Sequence, residues 1–151
     1  MKTVVQRVTR AEVRVGGELV GRIERGLLLF VGVEKTDGDA DADATARKVA
    51  ALRIFPGRTP MDVTVADVSG ACLVVSQFTL CAALGKGNRP SFEPAEAPAP
   101  AQALYLRVVE QLRQAGLTVE TGRFGADMAV DLVNDGPVTF WIETKDGALV
   151  K

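Results

Sequence analysis

Leu27–Val33 reads LLLFVGV, an apolar run with no polar side chain in it, and Cys72–Val75 reads CLVV. A strand with one wet face alternates apolar and polar residues, so short unbroken runs rich in branched side chains mark strands buried on both faces. Leu27–Val33 is therefore expected as a central strand, and Cys72–Val75 as another buried one. The second run stops abruptly in Ser76-Gln77-Phe78-Thr79, three hydrogen-bonding side chains and one ring. Polar groups at the end of a buried strand either leave the core as ordinary turn residues or are rigidly held groups of a site. A later stretch, Asn134-Asp135-Gly136-Pro137-Val138-Thr139, bears on that choice.

The remaining elements follow in chain order. Lys2–Thr9 and Ala11–Val15 alternate as strands, with Val4, Val8, Val13 and Val15 as inward candidates. Gly16-Gly17 is a two-residue hairpin signal, returning through Glu18–Ile23. Arg7, within the first strand, is either a surface charge or a guanidinium held near a site. Asp37, Asp39, Asp41 and Asp43 invite a calcium-loop reading. It fails: counted from Asp37, the sixth position is Ala42 where glycine is needed, and the twelfth is Lys48 where glutamate is needed. Carboxylates in a first helical turn offset the helix dipole, which suits a helix over Ala40–Arg53.

Beyond the Pro56–Pro60 loop, Met61–Val68 is a modest strand. Leu84–Phe92 is a glycine-bearing loop whose Lys86 and Arg89 suit one or two phosphates, although its spacing is not that of a nucleotide-binding loop. Four of the seven prolines fall in Pro90–Pro100, so that segment reads as extended. Ala101–Ala115 is a helix with the stripe Leu104, Val108, Leu112 and Ala115, stopped by Gly116. Leu117–Thr121 and Met128–Val133 are strands around the loop Gly122–Asp127. Asn134–Pro137 turns the chain, and Val138–Thr144 closes the sheet.

At 151 residues, with 47% hydrophobic and 25% charged residues, the chain reads as one soluble domain over 1–151. No apolar run nears the roughly 20 residues of a membrane span, and charges interrupt MKTVVQRVTR, so a cytoplasmic location without membrane contact is expected. Cys72 and Cys81 have no metal or redox spacing. There is no histidine at all, which excludes Ser-His-Asp, Cys-His and HExxH sites. Net charge is −1, so no global nucleic-acid footprint exists. Residues 1–35 nevertheless hold seven basic against four acidic side chains, suited to a local phosphate contact or simply to a solvated face.

Three blocks, Val75–Leu80, Gly122–Met128 and Asn134–Thr139, together resemble the D-aminoacyl-tRNA deacylase family. Val5–Val8, Arg53-Ile54-Phe55 and Lys86–Phe92 are similar to it as well, in the same order. The sequence departs from the family around Pro56–Thr64 and Cys81–Leu84. The resemblance implies an α/β fold of β-sheet layers with helices packed on one side and mixed or antiparallel strands. It implies a homodimer in which a cis Gly136-Pro137 enters the partner's pocket beside Ser76–Thr79. The implied reaction is hydrolysis of the ester joining a D-amino acid to the tRNA 3′ end, with glycyl-tRNA as a side substrate and neither metal nor cofactor. Gln77, Phe78 and Thr79 are the implied catalytic group. The resemblance further implies that Arg7, Ser76, Phe124, Met128, Gly136, Pro137 and Val138 bind substrate, and Lys86 and Arg89 are the residues expected to meet tRNA phosphates. Backbone N–H groups of Phe78 and Thr79 suit an oxyanion hole. Thr79 has no histidine to activate it, so it either positions, with the ribose 2′-hydroxyl assisting water, or acts as a covalent nucleophile. The competing function is a tRNA-end-binding accessory without turnover.

Overall fold

The computed structural model describes residues 1–85 and 87–150. Its strands are β1 (Lys2–Val15), β2 (Glu18–Ile23), β3 (Gly26–Gly32), β4 (Ala71–Ser76), β5 (Thr118–Thr121), β6 (Ala129–Lys145) and β7 (Ala148–Leu149). They form one sheet in the order β5-β4-β3-β1-β6-β7, with β2 paired to the far half of β1. β3, β4 and β5 run parallel. Parallel neighbours need crossover connections, and here these carry the two helices, α1 (Asp39–Ala51) between β3 and β4 and α2 (Pro98–Gln114) between β4 and β5.

Both helices cover one face, where Val49, Leu104, Val108 and Leu112 pack on Leu27, Leu29 and Val74. The helices are tied together by Arg107, which donates to both oxygens of Asp43 at 2.7 and 2.8 Å and holds that carboxyl below its ordinary pKa. On the opposite face β2 curls back over β4 and β5, sealing Val8, Val13, Leu28, Leu73 and Val75 into a second core. Gly21 permits this approach, because a Cβ there would lie 2.4 Å from the Thr121 carbonyl oxygen. The two apolar runs are thus covered on both sides: Leu27, Leu28, Leu29, Leu73 and Val74 are all fully buried. The Gly16-Gly17 hairpin also forms, both residues having positive φ.

Several expectations give way. β1 is a single strand, and register shifts around Val8 change the phase of its alternation. Val4 lies on the less buried row and Val15 at the strand end, so both remain half-exposed, while Val5 and Ala11 take core places. Met61–Val68 is not a strand. Only Val63 bridges, to Phe55, because Asp62 and Asp67 bind nearby donors: Asp62 takes the Arg58 N–H and Asp67 the N–H and hydroxyl of Thr64. Such local side-chain bonds compete with a ladder. α2 begins at Pro98, three residues before the expected Ala101, since a first turn has no use for the N–H that proline lacks. Ala115, expected on its buried stripe, is exposed beyond the helix end.

The largest difference is at Asn134–Pro137, which does not reverse the chain. β6 runs through it, with Gln6 opposite Thr139 and Val8 opposite Asn134. Several residues of β6 therefore face a single residue of β1, and the surplus bulges out of the sheet. β7, not anticipated, pairs with Thr144 and Lys145 across the Asp146-Gly147 turn.

Candidate active site

β4 leaves the core at Ser76, paired with Val31 of β3, and the Gln77 N–H closes the ladder on the Val31 carbonyl at 2.8 Å. The chain then winds into one 3-10 turn, Phe78–Cys81. Gly32 makes room for it, since a Cβ there would lie 2.9 Å from the Gln77 carbonyl oxygen and 3.0 Å from Cys81 Sγ. The first N–H groups of a helical turn have no partner within it. Those of Phe78 and Thr79 meet no acceptor among the described residues. The Gln77 amide donates to Thr79 Oγ1 at 2.6 Å, and among the described residues no carboxylate contacts that hydroxyl. Thr79 is thus oriented, and no base among the described residues contacts its hydroxyl.

The loop Gly122–Met128 lies across from this turn. Gly122 donates to the Val74 carbonyl at 3.1 Å and lets Met128 Sδ approach to 2.7 Å of where its Cβ would stand. Phe124 lies 5.9 Å from the Tyr105 ring, whose hydroxyl donates to the Val74 carbonyl at 2.8 Å. Burial pushes that phenol up to about 12, so it stays neutral. Two cavities flank the elbow. One, of about 220 Å³, is walled by Val31, Val33, Phe78, Ala101, Tyr105 and Phe124. The other, of about 260 Å³, lies towards Val75, Asp127, Met128 and Val130. Ser76, Gln77, Phe78 and Gly125 border both.

The second expected motif is elsewhere. Arg7 is buried; it donates through Nε to the Asp135 carbonyl at 3.1 Å, lies 3.0 Å from Asp135 Oδ2, and donates through Nη1 to the Ile54 carbonyl at 2.6 Å. It is neither a free surface charge nor a neighbour of Ser76 in this chain, but a brace for the bulge. Asn134 completes the brace, donating to the carbonyls of Arg7 and Val138 at 3.0 and 3.2 Å. A Cβ on Gly136 would lie 2.7 Å from Asn134 Oδ1, so a larger residue there would push the Asn134 side chain out of its brace. The Gly136-Pro137 bond is cis and both residues are exposed. Val138 packs in the helix-facing core, leaving only its backbone to a ligand.

Ser76 shares its row with Val31 and Thr3, whereas the bulge sits opposite Arg7, across three strand spacings from β4. At about 3.3 Å per residue and about 4.8 Å per strand, the halves lie about 13 Å apart along the strands and about 14 Å across them. One chain does not bring them together.

Of the expected phosphate contacts, Lys86 lies outside the described residues, and Arg89 is exposed in the loop closed by the Ala83–Ser91 bridge. Sequence reasoning missed Asn134 and Tyr105 as individual site residues. A lone tyrosine among the apolar positions of a helix was a usable signal, because a buried phenol needs an acceptor. It also missed Phe92, whose ring packs edge-to-face on Phe78 at 5.0 Å.

The mixed α/β sheet carries a histidine-free polar elbow between two cavities and, apart from it, an exposed Gly-Pro bulge, an arrangement suited to a hydrolase that works without histidine. Residues 4–143 match the D-Tyr-tRNA(Tyr) deacylase family, and the chain belongs to it. It is 54% identical to a D-aminoacyl-tRNA deacylase of Paracoccus denitrificans, covering 98% of this chain and 100% of that one. It is 55% identical to a D-aminoacyl-tRNA deacylase of Anaeromyxobacter dehalogenans, over 96% and 98%. Among solved structures, a c-Myc DNA unwinding element binding protein superimposes with a TM-score of 0.89 at 40% identity, covering 96% of this chain and 99% of that one. A probable eukaryotic D-amino acid tRNA deacylase has the same fold, with a TM-score of 0.78 at 18% identity over 93% and 97%.

Proposed function

We propose that this protein is a D-aminoacyl-tRNA deacylase, hydrolysing the ester between a D-amino acid and the 3′-terminal adenosine of tRNA. The observation that carries the reading is the pair of N–H groups of Phe78 and Thr79, without an acceptor among the described residues and presented between two cavities at a strand end. Preorganised donors aimed at developing negative charge are the largest single contribution in acyl transfer, and an aminoacyl ester needs little else. Water attacks the carbonyl carbon, and the tetrahedral oxyanion rests on the two N–H groups. The C–O bond to the ribose then breaks, and the 3′ oxygen leaves with the proton that water gives up. The 2′-hydroxyl of the substrate relays that proton, and Thr79, held by Gln77, positions the ester. The apolar slot between Tyr105, Phe124 and Phe78 takes the adenine ring, since aromatic walls stack on any base.

The separation of the two motifs supports a homodimer, in which each copy's Gly136-Pro137 bulge enters its partner's site beside Ser76–Thr79. There it occupies the space an L side chain needs, leaving D side chains free. Fixed obstruction is the efficient way to reject many different side chains. A tRNA substrate places the work in the cytoplasm, and no described helix is long and apolar enough to cross a membrane. The deciding assay follows amino-acid release from D-tyrosyl-tRNA and L-tyrosyl-tRNA. Release from the D ester alone is expected. Binding of tRNA without release from either would make the protein a non-catalytic accessory.

A further inference from the structure

We infer that Glu96 is a specificity-determining residue of the 220 Å³ cavity, accepting a hydrogen bond from the exocyclic amino group of the terminal adenine. The inference rests on the reading above that this cavity takes the nucleoside. Among the described residues Glu96 is the one carboxylate lining it. Its main chain is pinned to the end of the central sheet, the N–H donating to the Val33 carbonyl at 3.0 Å. Its side chain is pinned too, Oε1 accepting the Ala97 N–H at 2.7 Å. Ala97 is the N-cap of α2, so the carboxylate stands at the start of that helix.

No lysine or arginine pairs with Glu96 among the described residues, and the second oxygen accepts nothing from them. The other polar side chains at the cavity are largely committed. The Tyr105 hydroxyl is spent on Val74, and the Gln77 amide on Thr79. An apolar slot alone holds any base. A carboxylate accepts and never donates, so adding one selects a base edge that offers N–H. Adenine offers its 6-amino group there, in the way Asp and Glu accept from base amino groups elsewhere.

The test measures kcat/KM for D-tyrosyl-tRNA ending in adenosine and for the same tRNA ending in purine riboside, which lacks only the 6-amino group. Wild type, Glu96→Gln and Glu96→Ala are compared. Wild type should prefer adenosine by about 10-fold, within the range one base contact discriminates. Glu96→Ala should bring the ratio to about 1, and Glu96→Gln, which keeps one acceptor oxygen, should fall between. Damage to folding or to cavity shape lowers both substrates together and leaves the ratio unmoved. An unchanged ratio in Glu96→Ala overturns the inference while leaving the deacylase reading intact. No release of D-tyrosine by wild type from the adenosine-ended tRNA overturns both.

Discussion

Thr79 Oγ1 accepts a hydrogen bond from the Gln77 amide and has no base beside it among the described residues. Thr79→Ala should therefore retain turnover within about 10-fold of wild type, whereas a covalent nucleophile would lose nearly all of it. A 2′-deoxy terminal adenosine should slow wild type by about 100-fold, the low end of what a positioned proton relay supplies. Quench-flow with labelled D-tyrosyl-tRNA reads both, and a trapped acyl-Thr79 would sink the relay. The cysteines make a second test. Burial pushes Cys72 up to about 12 and Cys81 up to about 11. Since only the thiolate reacts, neither should be alkylated by iodoacetamide at pH 8 in the folded protein, and both should react in urea. At this scale the sequence spoke clearly about chemistry that is impossible, through the missing histidines. It marked Asn134 as part of a motif but was silent on its role, which is to join the Arg7 carbonyl of β1 to the Val138 carbonyl across the bulge.

Elements read from composition alone succeeded where one face or both faces dictated the pattern. Leu27–Val33 and Cys72–Val75 are buried as expected because no other placement hides so much apolar surface. Failures cluster where local bonding outweighs pattern. Thr64 and Asp67 satisfy each other and dissolve the Met61–Val68 strand, and Pro98 starts α2 early. The bulge is the instructive case: glycine and proline together suggest reversal, yet β1 pairs with β6 on both sides of them and carries the strand through. Arg7 braces that bulge from a buried position. Arg7→Ala should destabilise the protein by about 2–3 kcal/mol, because charge-assisted bonds to the Ile54 and Asp135 carbonyls are lost. The shift in urea midpoint measures it. Arg7→Lys should recover only part, since an ammonium cannot reach two carbonyls in the planar fork of a guanidinium.

At the scale of the whole molecule, the elbow and the bulge that one chain holds apart become one site in the proposed homodimer. Stereochemical selection should fail where the bulge is altered. A folded Pro137→Ala dimer should either lose activity or begin to release L-tyrosine from its tRNA, and mixed dimers with wild type should keep one selective pocket of two. Glycyl-tRNA, having no side chain to obstruct, should be cleaved slowly by wild type. Unaltered D/L selectivity in Pro137→Ala would place chiral reading elsewhere.

In the proposed homodimer, the distance between the bulge and the elbow also ties selectivity to abundance. A catalyst complete in one chain has the same selectivity at any dilution. One that borrows its obstructing wedge from a neighbour does not: as concentration falls through the dimer dissociation constant, release of L-tyrosine relative to D-tyrosine should rise in step with the loss of pairing. Covalent linkage of two copies should abolish that rise. D/L selectivity, followed alongside sedimentation over the same dilution series, would show the two curves coinciding. A flat selectivity curve beneath a falling dimer fraction would mean that each copy reads chirality alone.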